Sequence, residues 1–487
     1  MKSAPDNSHP NEIDRSIQTR RPGISLAAFP ALLYSFLPER VQARLIEGTV
    51  THQVLTLAWP SVMEQMLITL VGLVDAYIVG HLGAAALAGV GLGGQVLNLV
   101  AALFGAVGVG ATALVARSIG AEHPAEANRL ARQAMLFAAA LGLTTALACF
   151  VFAAPLMLLF GAAPDVVADG AIWLRVAAPS FAFLGVLLVG TATLRGAGDT
   201  RTPLVVMVVV NVVNIAVAWT FTRGLFGLPN LGVAGSGLGA SSGQIIGGLG
   251  VVALLVRGRG DVRLGWQMPA LDAARLRRLL NIGLPAGAEQ VLLQLAQLTL
   301  AVVLSRLGTA AYAAHQIGIR IAAMAFLPGW GFSVAATTLV GQELGAGRPE
   351  RARRATYASF WLAFIVMNVM GLFLFVLAEP ILRLFTTDAA VIRQGVIVVR
   401  TDSALQPLIA ASFVFSGALR GAGDTRTTML ITIGSVWALR LVAAYVLAIV
   451  LGLGIFGVWL AIGLDFASRA MWFWLRFRSG KWAALRV

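Results

Sequence analysis

Glu64 and Asp75 stand eleven residues apart in an apolar stretch that begins near residue 54. At 3.6 residues per turn that separation is about three turns, so a helix would carry both carboxylates on one face. They would lie roughly 16 Å apart along its axis, too far to make a single site. Pro60 joins the same face four residues before Glu64, and interrupted helices at membrane depth often border a binding region. A charged carboxylate in hydrocarbon costs about 2.5–3.5 kcal/mol on insertion scales, so such a residue normally faces a cavity and works there. Asp75 is therefore the leading candidate to take and release a proton. The plainer reading is that Asp75, near the outer end of its helix, simply meets water.

Amides form the other group with useful spacing. Asn211 and Asn214 sit at i, i+3, and Gln290, Gln294 and Gln297 sit at i, i+4, i+7. Each set would fall on one helix face. A glutamine stripe can hydrogen-bond varied ligands without burying charge, or it can act as glue between helices. Together with Glu64, Gln65 and Glu289 it makes the candidate lining of a substrate cavity, although a structural role for the two glutamates fits equally well. Asp402, Gln406 and Arg440 are further polar residues in apolar runs, without a motif partner. Asp465 and Arg469 suit an i, i+4 ion pair, and His315 reads as a hydrogen-bonded residue rather than a ligand. Trp472 and Trp474, followed by Arg476 and Arg478, read as an interfacial belt on the last span. No GxxxxGK[ST] loop is present, so ATP does not drive the chain directly. No nucleophile, metal set or acid pair clusters, so an enzyme is not expected. Neither is a cofactor beyond a coupling ion, H+ or Na+.

The elements that carry these residues follow from composition and from a repeat. Of 487 residues 58% are hydrophobic and 12% charged, about half the charged share of ordinary globular chains. Long apolar runs without period-2 alternation mean membrane-spanning helices, since lipid cannot satisfy open backbone groups. The segment Leu194-Arg-Gly-Ala-Gly-Asp-Thr-Arg-Thr202 returns unchanged at Leu419–Thr427, an offset of 419 − 194 = 225. The same shift lays Pro60 on Pro285, Glu64 on Glu289 and Arg175 on Arg400. The chain is thus two copies of one unit, an all-α polytopic membrane protein with six spans per half. They are expected at 54–79, 84–115, 131–158, 168–193, 203–222 and 234–256, then 281–305, 310–340, 355–378, 392–418, 428–450 and 455–476. Residues 1–50 read as a tail with an interfacial segment at 24–37, 51–256 as the first lobe, 257–280 as a charged linker, 281–478 as the second lobe and 479–487 as a second tail. In the repeated turn, Thr202-Pro203 reads as a helix cap followed by proline. The single cysteine, Cys149, excludes an internal disulfide.

The net charge of +14 is read as topology, with no nucleic-acid partner. Loops after even-numbered spans carry seventeen arginines against four after odd-numbered ones. That bias places the even loops and both termini in the cytoplasm. Six spans is an even number, so the repeat is parallel, about an axis along the membrane normal.

These features together resemble the multidrug and toxic compound extrusion (MATE) transporters. The resemblance rests on the six-plus-six duplication, the repeated LRGAGDTRT turn, Pro60 with Asp75-Ala-Tyr-Ile-Val-Gly-His-Leu-Gly, Ala314-His-Gln316, and Val334-Ala-Ala-Thr-Thr-Leu-Val-Gly-Gln-Glu-Leu-Gly345. It spans about residues 51–478 and is nearer the bacterial DinF-like branch than the NorM-like branch. It implies a cation-coupled antiporter of two six-helix lobes around a central cavity, in a bacterial inner membrane. Such a protein would act as a monomer among lipids and export amphipathic, often cationic, organic compounds. In several members an aspartate fifteen residues after the first-helix proline is a cation-site ligand, which here is Asp75. Members often pair an asparagine matching Asn214 with an aspartate four residues on, where this chain has Ala218. The second half has Leu300 opposite Asp75, and Leu293 where some branches carry a glutamate. The resemblance therefore implies cation coupling by Asp75 with Asn211 and Asn214 in the first half alone. A lipid-linked saccharide flippase of a related two-lobe superfamily is the alternative, and a membrane-embedded enzyme a distant third.

Overall fold

The computed structural model describes residues 48–258, 262–265 and 272–485. The tail with its interfacial segment at 24–37 lies outside the described residues. Twelve helices among them are long and apolar enough to cross a membrane: α1 Val50–Gly80, α2 Ala84–Gly120, α3 Pro124–Val151, α4 Pro164–Gly196, α5 Arg201–Arg223, α6 Val233–Arg257, α7 Ala273–Ser305, α8 Thr309–Gly345, α9 Pro349–Val376, α10 Ala389–Gly421, α11 Thr425–Val450 and α12 Gly454–Arg478.

The duplication is visible bond by bond. Thr112 donates to Ala192 O at 2.9 Å, and 225 residues on Thr337 donates to Gly417 O at 2.8 Å. Contacts between the halves pair up the same way. Gly120 at the end of α2 lies against the backbone of Gln342 on α8, while Gly345 at the end of α8 lies against Arg117 O on α2. Residues 120 and 345 are repeat mates, as are 117 and 342, so the contact is self-complementary about a local two-fold axis. Gly341 meets Ala116, its own mate, with a Cβ at 341 falling 2.7 Å from that of Ala116. Both repeated turns reach this point, since Gly421 O is 3.4 Å from the Gly341 Cβ position and Gln342 Nε2 is 3.2 Å from that of Gly198. The two turns share one face, and the repeat is parallel. Small residues suit such a contact because lipid leaves close packing, not water exclusion, to hold helices together.

The structure moves several boundaries. α2 and α8 run five residues past their expected ends at 115 and 340, and α3 and α9 start earlier, at Pro124 and Pro349. Proline fits the first helical turn, and charged first and last turns extend beyond the apolar run that sequence reading detects. The third span breaks at Phe152 and resumes as Ala153–Leu159; its counterpart breaks at Leu377 and resumes as Ala378–Arg383. α7 begins inside the expected linker, because Asp272 accepts from the backbone N–H of Ala274 and Arg275 and so caps it. The described part of that linker is pinned to the first half: Leu264 N bonds Leu255 O at 2.8 Å, and Arg263 N bonds Asn128 Oδ1 at 2.8 Å. The second tail is also packed through its described residues, with Trp482 stacked on Phe477 at 4.8 Å and donating to its carbonyl.

Candidate functional site

α1 bends the first half's chemistry toward α5. Pro60 has no N–H, which frees the carbonyl of Thr56 four residues earlier. That oxygen accepts from Thr200 Oγ1 at 3.3 Å. Farther along, Asn211 Nδ2 donates to Leu67 O at 2.9 Å, and Asn214 Nδ2 donates to Asp75 Oδ2 at 3.3 Å. Asn214 thus meets Asp75 as expected, whereas Asn211 holds the backbone of α1 instead of the carboxylate. Asp75 Oδ1 and Asn214 Oδ1 are both buried and have no partner among the described residues. An unpaired buried acceptor carries its full desolvation cost, so each of these oxygens is a place where a donor or a cation would be stabilising.

Ala218 is wholly buried, and a Cβ at Gly239 of α6 would come 2.6 Å from its methyl group. α5 and α6 are closely packed there. Leu300, opposite Asp75 in the repeat, is also buried. The Asp75–Asn214 pair thus has no repeat mate, its positions being Leu300 and Leu439 in the second half.

Glu64 and Glu289 do something else. Arg195 Nη1 donates to both oxygens of Glu64 at 2.9 and 3.1 Å, and Arg420 Nη2 donates to Glu289 Oε1 at 2.8 Å. Thr432 Oγ1 donates to the same Glu289 oxygen at 2.8 Å. The two ion pairs are repeat mates. Each fixes a proline-bearing helix, α1 or α7, to the last turn of α4 or α10. The structural reading of both glutamates is the one their geometry supports, in place of cavity lining. A readable signal was there, since the Glu–Arg separation of 131 residues recurs in both halves. Assigning the arginines to loop anchoring concealed it.

The amide stripe divides differently. Gln65 is half-buried, while Gln290, Gln294 and Gln297 are all exposed along α7. In the second half, Gln406 Nε2 donates to Asp402 Oδ2 at 2.9 Å. Asp465 and Arg469 pair at 2.6 Å as expected, and Arg440 joins through its Nε at 2.9 Å, a partner that spacing alone could not supply. His315 packs on Trp459 at 5.6 Å, but its Nδ1 finds no partner among the described residues. In the repeated turn Asp199, not Thr202, does the capping: its Oδ1 accepts from Thr202 N at 2.9 Å. Sequence reading also missed Tyr77 and Trp219, stacked at 6.2 Å, two residues past Asp75 and five past Asn214. Trp219 in turn carries Arg223 at 4.4 Å from its ring centre.

Comparison with known proteins shows the same twofold division of the chain. The MatE family model matches residues 60–220 and again 285–446, once per half. The chain is 30% identical over 433 residues to the "Probable multidrug resistance protein NorM" of Thermotoga maritima, covering 89% of this chain and 93% of that one. It is 27% identical to the "Multidrug resistance protein PmpM" of Pseudomonas aeruginosa, covering 84% and 85%. Among solved structures, the "Outward-facing conformation of a multidrug resistance MATE family transporter of the MOP superfamily" aligns at a TM-score of 0.83 and 24% identity, over 89% of this chain and 97% of that one.

Proposed function

Because the chain belongs to the MatE family and is a membrane transporter of twelve spanning helices, we propose that it is a secondary antiporter. In this reading it exports amphipathic, often cationic, organic compounds in exchange for protons, with sodium the other candidate ion. The relatives named above are called multidrug resistance proteins, which supports that substrate class. The observation that carries the coupling is the pair Asp75–Asn214 with one unshared oxygen on each residue.

A proton on Asp75 Oδ1 can donate to Asn214 Oδ1 while Asn214 Nδ2 keeps its bond to Oδ2. That would make a doubly hydrogen-bonded acid–amide pair and tighten α1 on α5. Losing the proton undoes one of the two bonds and restores a charge that repays the binding of a cationic substrate. Sodium normally wants several oxygen ligands, whereas a proton needs one desolvated carboxylate, and Ala218 removes the second acid. Gln65, Gln290, Gln294 and Gln297 serve as neutral lining, suited to weak selectivity because polar amides and apolar surfaces re-pack around different ligands.

On this reading 51–256 and 281–478 are the two lobes, the arginine-rich face is cytoplasmic, and the protein works as a monomer in a bacterial plasma membrane. The DinF-like branch is kept as a proposal resting on Asp75 with Leu293 and Leu300 in α7, although relatives here carry the NorM name.

Proteoliposomes with imposed gradients test the mechanism. A proton gradient should drive efflux of a cationic dye in the wild type, and Asp75→Asn should abolish it while leaving expression and part of dye binding. Normal transport by Asp75→Asn, or transport driven by sodium alone, would sink the proposal.

A further inference from the structure

Arg195 makes contact in two directions. Its guanidinium holds both oxygens of Glu64 on α1. Its backbone carbonyl accepts from Thr338 Oγ1 of α8, in the other half, at 3.0 Å. One residue on, Gly196 O accepts from Gln342 Nε2 of α8 at 3.1 Å. The last turn of α4 is therefore bonded at once to α1 and across the closure on the arginine-rich face.

The mirror arrangement is absent. Thr338 has Ala113 as its repeat mate and Gln342 has Arg117, so α2 offers no hydroxyl or amide to the turn at Arg420. Arg117 Nη1 has no partner among the described residues. Glu289 is instead fastened within its own half by Thr432, whose mate is Met207. Thr200 reaches the carbonyl freed by Pro60, while the hydroxyl of its mate Thr425 has no partner among the described residues. One ion pair is linked across the halves, and the other is locked inside one of them. The linked pair belongs to the helix that carries Asp75.

We propose that Arg195 is a positioning residue that ties the place of α1 to the closure between the halves on the arginine-rich face. Glu64 lies three turns from Asp75 on the same face of α1, so a shift of α1 at Asp75 moves Glu64 with it. While the ion pair holds, Arg195 must follow, pulling its carbonyl and that of Gly196 away from Thr338 and Gln342, and the closure registers the state of α1. Coupling can travel through a contiguous chain of hydrogen bonds and ion pairs, and Glu64–Arg195–Thr338 is bonded continuously. The inference rests on the transporter reading, but its test requires neither substrate nor a known coupling ion.

Spin labels at Ala125→Cys and Glu350→Cys, exposed repeat mates at the starts of α3 and α9, would report the distance between halves on this face. Cys149→Ala supplies the background, and the protein is held in nanodiscs. Loss of one charged hydrogen bond shifts a two-state equilibrium by about tenfold or more. Glu64→Gln and Thr338→Val, both nearly isosteric, should raise the ratio of long to short distances, the first by about tenfold and the second, which loses a neutral bond, by about fivefold. The swap Glu64→Arg with Arg195→Glu should bring it back toward the wild type, and Thr432→Val should leave it within about twofold. Asp75→Asn should change the ratio in the wild type and have no added effect in Glu64→Gln, as a double-mutant cycle for coupled residues requires. Wild-type distances in both isosteric variants, or an additive Asp75→Asn effect, would overturn the proposal. Because dye transport is measured separately, a failed antiport reading with an intact latch response, or the reverse, would be told apart.

Discussion

At the scale of single residues, the two halves spend their charges differently. Glu289 is 2% exposed and Glu64 8%, and Glu289 has a second partner in Thr432 beside Arg420. Breaking a buried pair leaves an uncompensated charge and costs about 3–5 kcal/mol. Arg420→Gln should therefore lower the thermal unfolding midpoint in detergent clearly, and by more than Arg195→Gln, whose Glu64 partner is nearer to solvent. An equal effect of the two would contradict this asymmetry. Ala218→Asp tests the first half in the opposite sense. It would press a carboxylate against Gly239 at a wholly buried position, at a cost of about 3 kcal/mol. Melting curves in sodium and in choline should both shift down together; a stabilisation seen only in sodium would mean that the site can take a second acid.

At the scale of helices, close approach decides what can be changed. Gly120 and Gly345 let α2 and α8 touch backbone to backbone where the halves meet. A β-branched side chain at either position cannot be accommodated by a rotamer change, because what it meets is backbone. Gly345→Val should leave insertion and the fold of each half intact while weakening the closure, lowering dye efflux by about tenfold or more. Wild-type efflux with wild-type surface expression would refute this. The breaks at Phe152 and Leu377, and the proline-bearing turns of α1 and α7, recur at the same offset. They are properties of the repeated six-helix unit, whereas α11 departs from its mate α5 by turning π-helical over Gly434–Arg440 and Val446–Val450.

For the whole molecule, the parallel repeat fixes which loops share a membrane face. Cysteines at Ala125, Glu350 and Ser479 should react with an impermeant maleimide from one side, and cysteines at Asn230 and Asp388 from the other. The charge bias assigns the first set to the cytoplasm. A split within either set would break the twelve-span topology.

The sequence determined the class, the duplication and its parallel sense, because apolar length, arginine bias and a fixed offset are one-dimensional properties. Asp75 could be singled out because a carboxylate in an apolar run is costly enough to need a reason. Helix ends were misjudged by a turn or two, since caps such as Asp272 and first-turn prolines act outside the apolar run. Partners were another matter. That Asn214 meets Asp75 while Asn211 meets Leu67 O, that Glu64 and Glu289 are claimed by arginines 131 residues away, and that Arg440 joins Asp465 all depend on how helices rotate and approach one another. The crossing of the halves at Gly120, Gly341 and Gly345 is a further contact of that kind. Only the folded bundle supplies it, because hydrogen bonds between helices are chosen by three-dimensional proximity that no spacing along the chain encodes.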